Sequence, residues 1–295
     1  MKITWIILFL NVAGLVCCAQ RNNDIIELGK KVNIFSKILD EKRTLWIYLP
    51  GDYNQTADKI YPVAYLLDGN TNFTAFTGII QHLSEMFRNK LVPQMIVVGI
   101  LNTDRIKDLT PTASLTDETG KISNHKGPTG GGEKFISFIQ NELFHYIDSA
   151  YHTSDFKMLI GHSLGGLTVI NCLINHRNLF DAYVAIDPSM WWDNKRLLIQ
   201  ADDTLKQNKF SNKYLFLAIA NTMQTGMDTL RVKTDTAKQT IHIRSIFLLK
   251  DELMRYPQNG LIWNYKYYND DNHGSVPLIG EYDAMRFIFS HREYK

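Results

Sequence analysis

The spacing of hydrophobic residues over the first hundred positions predicts two strands, a third buried strand and then a helix. Apolar and polar residues alternate over 31–39 and 43–50, on either side of three charged residues, which is typical of an antiparallel pair of strands. The apolar run at 61–69 predicts a buried strand. Apolar residues then recur at helical spacing over 73–90, and a β-branched run at 93–101 predicts a strand covered on both faces.

The rest of the chain continues to alternate strands and helices after one long loop. Residues 102–131 lack periodicity and are rich in Thr, Gly and Asp, so they predict a loop of a length that is usually functional or mobile. Further strands are predicted at 156–161, 180–187, 213–221 and 261–270, and helices at 132–151, 164–176, 236–254 and 280–290. This order predicts an α/β fold with a mainly parallel central sheet and helices on both faces, whose ligands bind at the carboxyl ends of the strands.

The composition fits one domain without a nucleic-acid partner. No repeat, low-complexity tract or linker divides the sequence, so residues 20–295 are predicted to form a single domain. The 32 Lys and Arg nearly balance the 30 Asp and Glu, so the chain has no large positive charge that would attract a polyanion such as nucleic acid. We therefore expect a small-molecule or glycan substrate.

The first residues have the pattern of an export signal. A lysine precedes the apolar run 3–16, which is short for a membrane span, and small residues follow it. Cleavage of the signal peptide 1–19 would leave Gln20 at the N-terminus and place the protein in the periplasm or outside the cell. The alternative is a lipoprotein anchored through Cys17 or Cys18.

Cysteine and histidine usage predicts neither a disulfide nor a metal site. Cleavage after residue 19 leaves Cys172 as the only thiol, so the mature chain has no internal disulfide. Cys172 lies in an apolar helical pattern, which indicates packing. No group of His and Cys has zinc spacing, and we expect no metal and no cofactor.

Ser163 is the candidate nucleophile. It lies between Gly161 and Gly165, where a predicted strand ends and a predicted helix begins. A nucleophile on so sharp a turn has strained backbone angles, and side chains at the two glycine positions would collide with the neighbouring strand and helix. The alternative is a glycine-rich turn with an inert serine.

A serine hydroxyl needs a base, and His273 is the candidate among nine histidines. It follows the last predicted strand and precedes the last helix. When serine, acid and histidine occur in that order along an α/β chain, the histidine is expected in this loop. His242 falls in a predicted helix, where a surface or packing role is expected. The alternative for His273 is a turn histidine that caps the next helix.

The third member of a triad would be a carboxylate in the loop after the strand 213–221, to orient the imidazole. Asp228 is the first choice because it is nearer the strand end, and Asp235 is the second. A dyad of Ser163 and His273 without an acid is the remaining alternative.

An oxyanion hole requires two backbone N–H donors. One is expected from Leu164, directly after the nucleophile. The other is expected from Gly69 or Asn70, in the loop after the strand that begins at residue 61.

At this point the chain resembles the esterase family of the α/β-hydrolase superfamily, which includes esterase D-like, feruloyl-esterase-like and enterochelin-esterase-like enzymes. The resemblance spans about residues 30 to 292 and rests on "VAYLLDGN", "VVGILNTDRIKDLTPT", "GHSLGGL", "AIDPSMWWDN" and "NDDNHGSVPLIGEYDAMRFIF", which occur in family order. It implies an α/β-hydrolase fold, with Ser163 as nucleophile and His273 as base.

The resemblance also implies substrate-binding residues. Arg105, in "NTDRIKDLTP", resembles the arginine that faces the substrate in the branch nearest the siderophore-lactone esterases, although a salt bridge to Asp104 or Asp108 is an equal alternative. Trp191 and Trp192 are candidates for an aromatic wall against an acyl group, and we expect one of the two to bind substrate and the other to pack in the core.

The function expected from the sequence is an exported serine esterase that hydrolyses carboxylic esters through an acyl-enzyme. Feruloyl or acetyl esters of polysaccharides and siderophore lactones are both candidate substrates. The alternatives are an acyltransferase of the same fold and a non-catalytic homologue that only binds a ligand.

Overall fold

A computed structural model describes residues 27–53, 58–86, 90–207, 209–257 and 260–291. The predicted signal peptide 1–19, including its two cysteines, lies outside the described residues. Within the described ranges, no helix has both the length and the apolar character needed to span a bilayer.

The described strands form one eight-stranded sheet with the order β1-β2-β4-β3-β5-β6-β7-β8. Strand β1 pairs antiparallel with β2, β2 pairs antiparallel with β4, and all other neighbours are parallel. The strands are β1 (Lys30–Ser36), β2 (Glu41–Tyr48), β3 (Tyr61–Leu66), β4 (Ile96–Ile100), β5 (Thr153–His162), β6 (Ala182–Ile186), β7 (Lys213–Ala220) and β8 (Leu261–Tyr268). The predicted fold class, a mainly parallel α/β sheet, is confirmed.

Helices cover both faces of this sheet. They are α1 (Gly69–Ser84), α2 (Arg105–Leu109), α3 (Gly132–Phe138), α4 (Phe144–Ala150), α5 (Leu164–Asn175), α6 (Trp192–Gln207), α7 (Arg231–Thr234), α8 (Ile241–Arg255) and α9 (Val276–Ser290). Helices α1 and α9 supply the core on one face, and the other helices supply the core on the opposite face. Successive strand residues alternate between the two cores, as the pleat of a doubly covered strand requires. Cys172 is fully buried in α5.

Two helices begin earlier than their apolar spacing predicts. Helix α9 begins at Val276 rather than near residue 280, because a proline in its first turn needs no intrahelical partner for its missing N–H. Helix α1 begins at Gly69 rather than at residue 73. A Cβ on Gly69 would lie 2.7 Å from the backbone of Gly99, so this helix start packs closely on β4.

The parallel order brings four loops to one edge of the sheet. The turns after β3, β5, β6 and β8 carry Asp68, Ser163, Asp187 and His273, respectively. Parallel neighbours place their carboxyl ends side by side, so residues distant in sequence meet there.

Helix α2 is fastened to the same edge by a buried ion pair. Arg43 of β2 is 1% exposed, and its Nη1 lies 2.6 Å from Oδ2 of Asp108 in α2. The guanidinium also lies over the ring of Phe135. This anchor fixes the helix that begins at Arg105.

Candidate active site

Ser163 lies on a strained turn between β5 and α5. Its φ of 60° and ψ of −116° lie in a region that costs a non-glycine residue about 1–3 kcal/mol. The N–H of Ser163 donates to the carbonyl of Ile186 at 3.0 Å, which ties the turn to β6. A Cβ on Gly161 would lie 2.4 Å from the backbone carbonyl of Gly165, so this position requires glycine. The structure therefore has the sharp strand-to-helix turn that the sequence predicts.

His273 lies in the loop between β8 and α9, as the sequence predicts. Its Nδ1 donates a hydrogen bond of 2.6 Å to Oδ2 of Asp187. This bond leaves Nε2 as the ring nitrogen available for proton exchange, and His273 and Ser163 line the same cavity.

Asp187 is the carboxylate at His273, and sequence reasoning missed it. The residue directly follows β6 and is fully buried. Its Oδ2 also accepts from Nε2 of His242 at 2.9 Å, and its Oδ1 accepts from the N–H of Ala220 at 3.0 Å. Burial alone would raise the pKa of Asp187, but the hydrogen bonds from His242 and His273 outweigh it and hold that pKa well below its usual range. The carboxylate is therefore ionised at neutral pH.

The structure corrects the choice of Asp228 as the acid. Its Oδ1 accepts the N–H groups of Leu230 and Arg231 at 2.9 and 2.8 Å, and its side chain is 56% exposed. Asp235, the second choice, accepts the hydroxyl of Thr240 at 2.6 Å. Both carboxylates serve the local turns of the loop after β7, and neither is bonded to His273.

The sequence did contain a signal for the acid. In "AIDPSM" an aspartate stands directly at the end of the strand that pairs with the nucleophile strand β5. This aspartate can be preferred to other carboxylates only once the strand order is known.

His242 is a second residue whose role was misread. It lies in the first turn of α8, as expected for a helical position, but its ring points at Asp187 rather than serving only packing or the surface. The rings of His242 and His273 meet edge to face with centroids 5.0 Å apart. Asp187 therefore holds two imidazoles through one oxygen.

A third imidazole lies beside His273 and carries no charge at neutral pH. The ring centroid of His162 is 4.4 Å from that of His273. Burial lowers the pKa of His162 to about 4, and the repulsion between the two rings when both are protonated adds to the effect. A neutral ring at this distance does not repel the imidazolium that His273 would form when it accepts a proton.

Arg105 lines the cavity beside Ser163, but its charge is already paired. Its Nε and Nη2 contact Oδ1 and Oδ2 of Asp68 at 2.6 and 2.9 Å. The salt bridges to Asp104 or Asp108 that the sequence offered as an alternative do not form. Asp104 caps α2 by accepting the N–H of Lys107, and Asp108 binds the buried arginine of β2.

Two cavities meet at Ser163. The first, of about 270 Å³, lies under the loop 114–129, and we call it the loop-side cavity. The second, of about 350 Å³, contains His242 and His273, and we call it the histidine-side cavity. Ser163, Ser189, Trp191 and Glu118 line both.

The two tryptophans have different environments. Trp192 is buried, and its Nε1 donates to the carbonyl of Thr112 at 2.9 Å, which fastens the long loop. Trp191 is half-buried and lines both cavities. Trp192 lines the loop-side cavity as well, so the structure does not separate a ligand-facing ring from a packing ring, and that expectation stays a prediction.

The expected oxyanion donors lie at two helix starts. Leu164 is the first residue of α5 and lines the loop-side cavity, while Gly69 and Asn70 are the first two residues of α1. N–H groups in the first turn of a helix have no intrahelical acceptor, so these amides are free to bind an anionic oxygen. Their role in an oxyanion hole stays a prediction.

The histidine pair and Asp187 also have ligand atoms close enough for a metal ion. These atoms lie within 4.8 Å of one another. Hydrogen bonds already join them, and the expectation of a metal-free site stays a prediction.

The fold and this strained serine turn define the class of protein: a serine hydrolase of the α/β-hydrolase type. Residues 36–243 match the family described as "Putative esterase", and the chain belongs to that family. It is therefore a carboxylic ester hydrolase.

Similar proteins agree with this assignment. An IroE-like serine hydrolase from Shewanella oneidensis is 34% identical, with a TM-score of 0.81 over 90% of this chain and 82% of that one. The ferri-bacillibactin esterase BesA of Bacillus subtilis is 27% identical over 65% of this chain and 69% of that protein. The siderophore enterobactin esterase of Emericella nidulans is 25% identical over 53% of this chain and 55% of that protein.

Proposed function

We propose that the chain is an exported serine esterase in which Ser163 is the nucleophile, His273 the base and Asp187 the acid. One observation carries the catalytic part of the proposal, and the export part is supported by the sequence pattern of residues 1–19. A serine with strained backbone angles and a histidine held by a buried, ionised carboxylate line one cavity at the carboxyl edge of the sheet.

The reaction follows from these positions. His273 accepts the hydroxyl proton as Oγ of Ser163 attacks the ester carbonyl, and the carbonyl electron pair moves onto oxygen. The N–H groups of Leu164 and of Gly69 or Asn70 stabilise that oxyanion. The alcohol then leaves with the proton from His273. Water, with His273 again as the base, then attacks the carbonyl of the acyl-enzyme. The bond to Oγ of Ser163 breaks, the serine regains its proton from His273, and the carboxylic acid is released.

The substrate that best fits is a small ester or lactone of the siderophore type. One relative is named a siderophore enterobactin esterase and another a ferri-bacillibactin esterase. The two cavities at Ser163 offer separate places for the acyl and alcohol parts. Feruloyl and acetyl esters of polysaccharides are the competing class.

A panel of aryl, acetyl and lactone esters tests the proposal. Ser163→Ala and His273→Ala should each lower kcat by about 10³-fold or more, with the fold intact by circular dichroism. Ser189→Ala is the matched control, because its hydroxyl lies 3.2 Å from that of Ser163 in the same cavity. That variant should stay at least about 100-fold more active than Ser163→Ala. Equal turnover in wild type and Ser163→Ala would contradict the mechanism.

Export is tested separately by mass spectrometry of the mature N-terminus. We expect a chain that begins at Gln20. A diacylglyceryl group on Cys17 or Cys18 would identify a lipoprotein instead, and an intact Met1 in the cell's product would contradict both.

A further inference from the structure

The hydroxyl of Ser163 has one hydrogen-bond partner within the described ranges, and that partner is a second serine. Oγ of Ser163 lies 3.2 Å from Oγ of Ser189, and either hydroxyl can donate in this pair. Ser189 is 2% exposed, and its hydroxyl has no other partner among the described residues. The mechanism built on Ser163, His273 and Asp187 assigns no task to this second hydroxyl.

The backbone holds Ser189 against the nucleophile. The N–H of Ser189 donates to the carbonyl of Ser163 at 3.0 Å, and its carbonyl accepts from the N–H of Trp192 at 3.1 Å. Pro188, which precedes it, packs closely on α5, because a Cβ on Gly166 would lie 2.9 Å from Cα of Pro188. The Ser189 hydroxyl is therefore preorganised beside Oγ of Ser163, and the protein needs little reorganisation for this bond to act during the reaction.

The ionised acid fixes the direction of each hydrogen bond that leads from it to Ser189. Asp187 only accepts, so Nδ1 of His273 donates to it and Nε2 of that ring has to accept. The hydroxyl of Ser163 must point at Nε2 when its proton is transferred, which leaves only the lone pairs of Oγ for Ser189. In the reactive arrangement Ser189 is therefore the donor and Oγ of Ser163 is the acceptor.

A donor at this position acts on the oxygen whose charge changes during the reaction. Oγ of Ser163 loses its proton to His273 as it attacks, and it takes the electron pair of the C–Oγ bond when the acyl-enzyme is hydrolysed. A hydrogen bond strengthens as negative charge develops on its acceptor. In the acyl-enzyme Oγ has no proton, so only donation from Ser189 can join the two oxygens.

We propose that Ser189 is a fourth catalytic group, which donates a hydrogen bond to Oγ of Ser163 and stabilises charge on that oxygen in both halves of the reaction. No proton passes between the two serines, because proton transfer runs only through His273. The inference rests on the proposed function, in which Ser163 is the nucleophile. Asp187 and Ser189 both lie on the turn after β6, so this one turn serves the base and the nucleophile.

The rate of labelling by a fluorophosphonate tests the donor with no need to know the natural ester. This rate reports the reactivity of Oγ of Ser163, and peptide mass spectrometry confirms the position of the adduct in each variant. Ser189→Ala should slow labelling by about tenfold, since a hydrogen bond to an oxygen that gains charge is lost. Ser189→Thr keeps the hydroxyl and should label at close to the wild-type rate. Ser189→Cys keeps the volume but donates weakly, so it should label as slowly as Ser189→Ala.

A buried serine outside the two cavities serves as the matched control. Ser36 in the edge strand β1 is fully buried, and its hydroxyl donates to Glu142. Ser36→Ala removes a buried hydroxyl away from the nucleophile and should leave the labelling rate unchanged. The downfield proton resonance of the bond between His273 and Asp187 should persist in Ser189→Ala, which shows that the turn after β6 is undisturbed.

The outcomes separate this inference from the esterase mechanism. Labelling of Ser189→Ala that is as fast as that of wild type, or faster, would overturn the donor and leave the esterase proposal standing. Labelling of Ser189→Cys at the wild-type rate, or loss of the downfield resonance in Ser189→Ala, would also overturn it, because the side chain would then act through packing. A wild-type protein that is not labelled at Ser163 would refute the proposed function and the donor together.

Discussion

Replacing Asp187 by asparagine tests the assignment of the acid most sharply. Oδ1 of the buried side chain accepts a hydrogen bond from the N–H of Ala220, and Oδ2 accepts one each from the imidazoles of His242 and His273. An asparagine that keeps the Ala220 bond must turn its amide NH₂ toward His273. Nδ1 of the neutral imidazole then has to accept, which places the ring proton on Nε2. In that tautomer His273 cannot take the proton of Ser163.

The expected loss follows from this change of tautomer. A carboxylate-to-amide change that moves the ring proton of the histidine from Nδ1 to Nε2 lowers kcat by about 10⁴-fold, or about 5 kcal/mol of transition-state stabilisation. We expect Asp187→Asn to lose about 10³- to 10⁴-fold in kcat on an aryl ester at saturating concentration. Its melting temperature should stay close to that of wild type, because the Ala220 bond survives.

The two carboxylates of the loop after β7 that the sequence offered as the acid provide the comparison. Asp228→Asn and Asp235→Asn should each retain most of the activity, since both groups bond within their own loop. The reasoning is refuted if Asp187→Asn keeps more than about a tenth of the wild-type kcat. If Asp228→Asn loses activity while Asp187→Asn stays active, Asp228 in the loop after β7 is the acid.

Three further predictions concern the support of the site. His242→Gln can still donate to Asp187 and should lose at most about tenfold in kcat, whereas His242→Leu should lose more; steady-state kinetics of the two variants decides whether the hydrogen bond matters. Gly161→Ala should prevent folding or greatly lower Tm, because the new Cβ meets the backbone of Gly165; calorimetry that shows a native Tm would contradict this. Burial without a partner among the described residues raises the pKa of Glu281 well above its usual range. This glutamate therefore ionises at lower pH in the unfolded chain than in the folded protein, and stability falls as pH rises above the ordinary pKa of a glutamate. Glu281→Gln should flatten that fall of Tm with pH, and calorimetry that shows the same pH dependence in both proteins would contradict it.

The parts of the site that depend on local sequence were predictable. Ser163 lies within a few residues of Gly161, where a Cβ would meet the backbone of Gly165, whereas a Cβ on Gly165 would come only within 3.3 Å of Oδ2 of Asp68. Of the two glycines that the sequence singled out, only Gly161 is therefore required by a backbone clash. His273 could be predicted from chain order, because counting the predicted strands and helices identifies the loop between the last strand and the last helix. The alternation of strands and helices likewise gave the fold class.

The acid depended on tertiary information. Any carboxylate between Ser163 and His273 satisfies the chain order, so loops after β6 and β7 both qualify. The structure selects Asp187 because β6 pairs directly with β5. A sequence without strand order offers no reason to prefer it to Asp228.

The hydrogen-bond partners of Arg105 and His242 were missed for the same reason. Their partners, Asp68 and Asp187, are 37 and 55 residues away in sequence. Local spacing suggested neighbours such as Asp104 for the arginine and a packing role for the histidine. Only the convergence of strand ends at one edge of the sheet reveals the true contacts.

Labelling with a fluorophosphonate tests the central claim most directly. The probe forms a covalent bond to an activated serine with loss of fluoride, and peptide mass spectrometry locates the adduct. We predict one adduct per chain, at Ser163, which is absent in Ser163→Ala and forms far more slowly in His273→Ala. An adduct at Ser189, or ester hydrolysis that persists with Ser163 unlabelled, would contradict the account.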